Sequence, residues 1–381
     1  MTDNRGRYRL NTLAPGRYAV VVRHLFRPVF RAQPESTVNP SPPAFTYGVQ
    51  YYSGVDRSAS ATLLEVQAGK EVEGIDFRLA ARPTVALQGR VLLPQGVIPS
   101  GQVSVDILDE PDSAQGVSMS TSASAPNFMF RLDNCAPGSY LVVAQTLAEG
   151  RQYRGVQRVE LGADSPEVTI PLERGIDLAG SFTIEGPGAR QHPDTYVTLV
   201  PGDGIPWRGV PLRATVNKDG TFRVTNVPPG VWDIGPGPIP PGGYLKSMRL
   251  GDQDVLAEEM VITSETSAPL RIVVSTQGAT VEGSVTNSRR AVVLLAPEGR
   301  FRAVTSFYRL TTSDEEGHFE IKGAMPGAYK LYAFEELNAN AIEDPEFLKP
   351  FESFGAPVEL QEGQTTSQDL TPIPAGARGK Q

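Results

Sequence analysis

The chain has 381 residues, 40% hydrophobic and 20% charged, a composition typical of folded soluble proteins and a length that suits about three to four domains. Its net charge of −8 and the lack of a Lys/Arg cluster argue against a nucleic acid partner. A single cysteine excludes an intrachain disulfide, and no apolar stretch approaches the ~18–20 residues of a membrane span.

One sequence pattern recurs four times along the chain. Each copy has a polar turn, an aromatic residue that begins an apolar alternation, a Pro-Gly pair, and a second alternating run with its own aromatic residue. The copies are GRYRLNTLAPGRYAVVV (6–22), NFMFRLDNCAPGSYLVVA (127–144), GTFRVTNVPPGVWDIG (220–235) and GHFEIKGAMPGAYKLYA (317–333). The interval from the first aromatic residue to the proline is 7 residues in every copy. Chance does not produce four such matches.

The alternation around each Pro-Gly pair predicts a hairpin. Apolar residues at every second position place one face of each strand inward. Proline fixes φ and glycine tolerates positive φ, so the pair suits a tight connection. The aromatic residue after Pro-Gly is expected to seal one end of each sandwich, as a tyrosine corner does. In chain order this residue is Tyr18, Tyr140, Trp232 and Tyr329.

A second marker precedes the last three copies. It reads LQGRV (87–91), LAGSF (178–182) and VEGSV (281–285), with its glycine 41, 42 and 36 residues before the aromatic residue. We expect this to be the first strand of each domain, with the glycine at a bulge or a close approach.

Further strands are predicted after each hairpin, at Val66–Leu79, Val168–Leu172 and Leu270–Val274. Each domain then has about seven strands, and the fold class is all-β, with tandem Ig-like or prealbumin-like sandwiches. The predicted domains are 1–81, with an insertion at 24–62, then 82–173, 174–276 and 277–374, followed by a disordered tail at 375–381.

The first domain is expected to be an incomplete sandwich. It has only seven residues before Tyr8, whereas the other copies have 36–42 residues between their first-strand glycine and the aromatic residue. Missing opening strands would leave sheet edges unpaired. The native start is therefore expected upstream of Met1, where an export signal would be placed; MTDNRGRYRL itself has no hydrophobic segment.

Residues able to catalyse or to bind a metal are scarce. The histidines are His24, His192 and His318, and none has a neighbouring ligand at zinc-site spacing. Cys135 aligns with apolar residues of the other copies and is predicted to be a buried small hydrophobe. Phosphate loops and nucleophile elbows are also missing. We predict no enzyme activity, no metal and no cofactor.

The acidic turns TDNRG (2–6), NKDG (217–220) and SDEEG (313–317) allow two interpretations. Carboxylates at alternate positions can ligate calcium. Each turn has only one or two carboxylates, however, and Asp or Asn followed by Gly is typical of a bend into a strand. A structural turn is favoured.

Aromatic residues in loops are the candidate ligand-binding residues. Tyr47, Tyr51 and Tyr52 lie in the insertion, and Trp207 lies in the loop GDGIPWRG (202–209). Exposed flat rings stack on sugars or anchor a protein partner. In the alternative, the insertion folds back and its rings cover the core of the incomplete first domain.

The repeated pattern resembles the carboxypeptidase regulatory-like domain, a relative of Cna protein B-type and transthyretin-like sandwiches. The resemblance covers nearly the whole chain and is good at Asp3–Gly6, Asn217–Gly220 and Asp314–Gly317; the second copy has Ser-Ala-Pro-Asn (124–127) there instead. Residues 329–364 also look like the ending of bacterial envelope proteins with such repeats. The resemblance implies seven-stranded sandwiches of carbohydrate-binding-like fold outside the cytoplasm, and no peptidase activity, because the module is an accessory in carboxypeptidases.

The sequence therefore favours a non-catalytic, bacterial β-sandwich repeat protein of the periplasm or the cell envelope, with a structural or interaction role and a protein or glycan partner. One alternative is a carbohydrate-binding protein that uses Tyr51, Tyr52 or Trp207. Another is an accessory region of a larger envelope protein or enzyme whose N-terminal part is missing.

Overall fold

The computed structural model describes residues 2–3, 5–11, 13, 16–22, 45–47, 50–55, 60–67, 70–79, 81–109, 119–162, 167–190, 194–202, 212–287, 290–337 and 347–374. The fold is all-β, as the sequence predicts: strands joined by turns and short 3-10 segments. Two compact units are present, and their boundary in the sequence falls between Gly175 and Ile176. The predicted tail at 375–381 and most of the 24–62 insertion lie outside the described residues.

The N-terminal segment forms short antiparallel ribbons. Its strands are β1 (Gly16–Tyr18), β2 (Val21–Val22), β3 (Phe45–Tyr47), β4 (Gln50–Tyr51), β5 (Leu64–Val66) and β6 (Ala81–Pro83). They pair as β1–β5, β2–β4 and β3–β6. Of the strand predicted at Val66–Leu79, only Val66 lies in a strand, and the described residues 70–79 form none. This part of the prediction is wrong: in the described part of the chain, residues 70–79 pair with no strand.

The second repeat forms a two-layered sandwich within the first unit. Its strands are β7 (Val85–Leu92), β8 (Val103–Asp109), β9 (Met119–Ala123), β10 (Met129–Cys135), β11 (Gly138–Ala148), β12 (Arg151–Leu161), β13 (Val168–Pro171) and β14 (Glu173–Arg174). One sheet has the order β10–β7–β13 and the other β14–β12–β11–β8–β9. Side chains from both sheets, such as Leu87, Ile107, Phe130, Val142 and Ile170, form one buried core.

The third repeat opens the second unit. Its strands are β15 (Ile176–Glu185), β16 (Tyr196–Pro201), β17 (Leu212–Thr215), β18 (Thr221–Val227), β19 (Gly230–Gly237), β20 (Tyr244–Leu250), β21 (Gln253–Asp254), β22 (Met260–Ile262) and β23 (Leu270–Ser275). The sheets have the orders β18–β15–β23–β20–β21 and β17–β16–β19–β22.

The fourth repeat completes the second unit. Its strands are β24 (Ala279–Ser284), β25 (Val292–Pro297), β26 (Arg309–Thr312), β27 (His318–Ala324), β28 (Gly327–Phe334), β29 (Ala356–Leu360) and β30 (Thr365–Ser367). The sheets have the orders β27–β24–β30 and β26–β25–β28–β29. The predicted strands at 168–172 and 270–274 are confirmed to within one residue, as β13 and β23.

The Pro-Gly pair joins the two layers of each sandwich, so the hairpin prediction is wrong. β10 pairs with β7, whereas β11 pairs with β8 and β12 in the other sheet. The same separation holds for β18 and β19 and for β27 and β28. We call this connection the Pro-Gly arch. The alternation of apolar residues predicts that each of the two strands has one buried face. An arch and a hairpin share this pattern, so only the tertiary structure shows which strand each of them pairs with.

The aromatic residue after each arch closes the end of its sandwich, as predicted. The Tyr140 hydroxyl donates a hydrogen bond to the Ala136 carbonyl (2.8 Å), and the Trp232 indole N–H donates to the Pro228 carbonyl (3.0 Å). Both rings are buried, as is Tyr329 at the same position of the fourth repeat. Each of the first two rings therefore ties the strand after the arch to the residue that begins the arch.

A β-bulge lies just before each arch. Two residues of β10, β18 or β27 oppose one residue of the neighbouring strand. In each bulge one residue has a positive φ: Asn134, Asn226 and Gly323, with φ of 66°, 60° and 72°. Asn and Gly are the residues that adopt this left-handed conformation at least cost, so the sequence supplies them where the strand must bend.

The marker glycine lies beneath the aromatic residue of the paired strand. Phe130 pairs with Gly89, Phe222 with Gly180 and Phe319 with Gly283. A Cβ on Gly89 would lie 2.3 Å from the Val168 carbonyl oxygen and 2.6 Å from Cζ of Phe130. Of the two predicted roles for this glycine, the close approach is therefore confirmed. The prediction that the marker lies in the first strand of each domain is also confirmed, since these strands are β7, β15 and β24.

We expect Gly89→Ala to destabilise the second sandwich by about 1–3 kcal/mol, because the new methyl group overlaps both a backbone carbonyl and a buried ring. Denaturant titration followed by hydrogen exchange of the β7 and β10 amides measures this. Gly101→Ala is the matched control, since a Cβ there meets no atom within 4 Å. Equal stability of the two variants would contradict the assigned role of Gly89.

Candidate functional site

The described cysteine and the described histidine both make contacts within the fold. Cys135 is 1% exposed and its thiol lies 3.5 Å from the Leu132 carbonyl oxygen, which confirms the prediction of a buried small hydrophobe. Nδ1 of His318, an exposed residue, lies 2.8 Å from Oγ of Ser284 on the neighbouring strand. His24 and His192 lie outside the described residues. Within the described part of the chain, no three His, Cys, Asp or Glu side chains converge on a possible metal position.

The acidic turns use their carboxylates as caps. Asp3 Oδ1 accepts hydrogen bonds from the backbone N–H groups of Arg5 and Arg7, both at 2.8 Å. Asp219 Oδ1 accepts from the N–H of Thr221 (3.0 Å), and this bond lowers the pKa of the Asp219 carboxyl. Asp314 Oδ1 accepts a hydrogen bond from the backbone N–H of His318 (2.7 Å). The turn interpretation accounts for these contacts without calcium.

The predicted ligand-binding aromatic residues do not form one exposed surface. Tyr47 on β3 is 41% exposed, whereas Tyr51 is 3% exposed. Tyr52 is half-buried and its ring meets Phe77 edge to face, with the ring centroids 6.1 Å apart. Trp207 lies outside the described residues. Tyr51 and Tyr52 thus lie as the fold-back alternative describes, and the ligand-binding role of these residues stays a prediction.

An open groove of about 720 Å³ lies in the N-terminal segment. We call it the N-terminal groove. Its lining consists mainly of residues 5–11 and 70–76, with residues of β1 and β5. The Tyr8 hydroxyl donates a hydrogen bond to the Ile75 carbonyl across the groove (2.6 Å), and Arg9 forms an ion pair with Glu71 (2.9 Å). Burial raises the pKa of the Tyr8 hydroxyl. The sequence pointed to this region only through the expectation of missing strands.

A polar network joins the third and fourth sandwiches of the second unit. Oε1 of Glu362 accepts hydrogen bonds from the Ser275 hydroxyl (2.8 Å) and the Tyr244 hydroxyl (3.0 Å). The Lys246 ammonium lies 3.1 Å from Glu185 Oε2 and 3.5 Å from Glu362 Oε1. Ser275, Tyr244 and Lys246 hold the pKa of the Glu362 carboxyl below its usual value, whereas burial and Glu362 raise the pKa of Tyr244.

Backbone packing reinforces this network. The Gly278 N–H donates to the Gly242 carbonyl (3.0 Å), and the Gly363 N–H donates to the Gln277 carbonyl (2.8 Å). A Cβ on Gly278 would lie 2.5 Å from the Gly242 oxygen and 2.5 Å from the Gly323 Cα. We call the Glu362 network together with these glycines the interdomain junction. No other residue type fits at Gly278, because the two backbones leave no room for a side chain.

No family model and no curated protein matches the chain, whereas several solved structures do. Among solved structures, the Bacillus anthracis TIE protein is 13% identical over 77% of this chain and 54% of its own, with a TM-score of 0.20. The Streptococcal ancillary pilin is 11% identical over 75% and 99%, with a TM-score of 0.23. BcpA, the major pilin subunit of Bacillus cereus, is 12% identical over 76% and 99%, with a TM-score of 0.19. At such TM-scores the chains do not superpose as wholes, and no functional property is carried over.

The described residues include no helix that is long and apolar enough to cross a membrane.

The interdomain junction should weaken in acid. The folded-state pKa of Glu362 is lowered, so its contribution to stability is present above the unfolded pKa of about 4.3 and is lost as the pH falls through the folded value. In Glu362→Gln, we expect the backbone amides of residues 270–280 to exchange faster than in the wild type at neutral pH. On acidification, the protection of these amides from exchange should fall less in the variant than in the wild type. Hydrogen exchange measured over a pH series tests this.

Glu359→Gln, on the exposed side of β29, is the matched control and should behave as the wild type does. Identical acid sensitivity of the wild type and Glu362→Gln would show that the carboxylate does not hold the junction.

Proposed function

We propose that this chain is a non-catalytic spacer and interaction protein of the bacterial cell envelope, located in the periplasm or outside the cell, and that its repeats are of the carboxypeptidase regulatory-like type. The observation that carries the spacer role is the interdomain junction. A spacer must hold consecutive domains at a fixed angle, and the contacts at Gly278 and Glu362 favour one arrangement of the third and fourth sandwiches.

The surroundings of the potentially reactive side chains support the proposal that the chain is not an enzyme. Cys135 is enclosed in the core, and Asp219 and Asp314 are held by backbone N–H groups. A nucleophile or general base must instead reach a substrate with a free lone pair. The location outside the cytoplasm and the repeat type rest on the resemblance of the repeated pattern.

Distance measurements between spin labels test the spacer role. With cysteines introduced at the exposed positions Arg223 and Glu359, we expect a narrow distance distribution in the otherwise unchanged chain and a broad one in Gly278→Val, because the added side chain separates the two backbones. Gly101→Ala should leave the distribution narrow. A broad distribution without the Gly278 substitution refutes the spacer role, and recovery of the native protein from the cytosolic fraction of its source cells refutes the envelope location.

A glycan-binding role is the second candidate, and the exposed strand β3 favours it. Phe45 is 60% exposed and Tyr47 41% exposed. Rings at the surface can stack on the apolar face of a sugar. If this role holds, the chain binds members of a glycan array, Tyr47→Ala loses the signal, and Phe354→Ala, which removes an exposed ring of the fourth repeat, keeps it. Equal signals from both variants would exclude Tyr47 from the site.

A further inference from the structure

In each of the three sandwiches, two strands of one sheet lie side by side and run parallel. They are the first and the last strand of that sheet in chain order: β7 with β13, β15 with β23, and β24 with β30. The other pairings between the strands named for these sandwiches are antiparallel. The parallel pair therefore joins the strand by which the chain enters each sandwich to the one by which it leaves that sheet.

The third sandwich has the longest of these parallel ladders. It has six residue pairs, which begin with Gly180 opposite Leu270 and end with Glu185 opposite Ser275, whereas the other two ladders have four and three. The Thr276 N–H adds a hydrogen bond to the Glu185 carbonyl (2.9 Å). Because the strands are parallel, the chain enters β15 at one end of the ladder and leaves β23 at the other. A pull along the chain therefore draws the two strands in opposite directions along one axis.

The direction of the pull decides how the hydrogen bonds of a ladder are loaded. A pull from opposite ends makes the strands slide, and all the bonds between them carry the force at once. A pull on both strands at one end opens the bonds one after another. A slip of one residue turns every side chain to the opposite face of the sheet. The shortest slip that restores the facing is two residues, about 6.6 Å at about 3.3 Å per residue, and no hydrogen bond of the ladder spans that distance.

The marker glycine and its aromatic ring oppose the same slip. A Cβ on Gly180 would lie 2.2 Å from Cζ of Phe222 and 2.4 Å from the Leu270 carbonyl oxygen. If β15 moved toward its N-terminus by two residues, Phe182 would arrive at the place of Gly180, where the ring and the carbonyl leave no room for its side chain. The glycine and the ring are paired in the same way in the other two sandwiches. Each first strand is thus blocked against sliding as well as hydrogen-bonded.

The last strand of the third sandwich is held on both edges. Besides β15, it pairs with β20 from Leu270 to Ser275. Only residues 276–278 separate β23 from β24, so tension on the chain passes directly from the third parallel ladder to the fourth. The fourth ladder is extended by a parallel bridge between Val285 and Leu370. The path of the force along the chain therefore runs through one parallel pair after another.

We infer that this chain bears mechanical tension along its length, and that each sandwich resists the tension by shear of the parallel pair between its first and last strands. The marker glycine has two roles in this resistance: it lets the parallel strands approach each other, and it seats the ring that blocks sliding. The spacer role asks only for a fixed angle at the interdomain junction. Resistance to tension goes beyond it, and its use by the cell rests on the proposed function.

Single-molecule force spectroscopy on the full chain, with the third sandwich pulled in two directions, tests the inference. The handles are attached to cysteines introduced at exposed positions. Glu173→Cys with Gln277→Cys gives the sliding direction, because these residues lie before β15 and after β23. Ala189→Cys with Gln277→Cys gives the peeling direction, because both residues follow the C-terminal ends of the two strands. Cys135 is 1% exposed, so it is protected from labelling in the folded chain.

We expect the rupture force at one pulling speed to be at least about twofold higher in the sliding direction, because forced unfolding depends on the unfolding barrier and sliding breaks the whole ladder together. The length released on rupture identifies the third sandwich: up to about 350 Å in the sliding direction and about 300 Å in the peeling direction, at about 3.3–3.6 Å per residue. Without force, the two variants should unfold at the same temperature, which shows that the handles do not alter the fold.

A rupture force in the sliding direction equal to or below that in the peeling direction would overturn the inference. Release of the third sandwich in the sliding direction without a rupture event would overturn it as well. Equal forces together with a narrow spin-label distribution refute only the resistance to tension. A higher force in the sliding direction together with a broad distribution refutes only the spacer role.

Discussion

The packing of an aromatic ring on a glycine of the adjacent strand is the interaction on which each complete sandwich depends. In the third sandwich the Phe222 ring fills the space above Gly180, and the Leu270 backbone of the last strand closes against the same glycine. A larger residue would separate the three central strands, and a smaller ring would leave a cavity in the core. The glycine and the ring are 36–42 residues apart in the sequence and are paired in all three sandwiches.

The bulge and the arch follow from this central pairing. Once Phe130 is fixed over Gly89, β10 has only a few residues in which to leave its sheet and enter the other. Asn134 bends the strand in a left-handed conformation, and the arch then carries the chain across the core. The hydrogen bond from Tyr140 to the Ala136 carbonyl connects the strand after the arch to the start of the arch. The same arrangement in three sandwiches explains why the Pro-Gly pair recurs at constant spacing.

This common plan is extended at one place in the chain and incomplete at another among the described residues. At the interdomain junction, Glu362 adds polar contacts between one sandwich and the next, and Gly278 lets their backbones touch. In the N-terminal groove, the plan lacks its central strand among the described residues, and Leu10 stays exposed where its counterparts are buried. The contacts at the first place favour one arrangement of the third and fourth sandwiches, and the second place leaves apolar side chains exposed.

The sequence by itself determined the repeat, the all-β class, the first strands and the burial of Cys135, because period-2 alternation and fixed spacings are local properties of the chain. It did not determine that the Pro-Gly pair is an arch, because alternation is the same whichever strand becomes the neighbour. It also missed the network at Glu362, whose partner Tyr244 is 118 residues away, and it left open whether Tyr51 is exposed or buried. These features depend on contacts between distant segments, which only the tertiary structure decides.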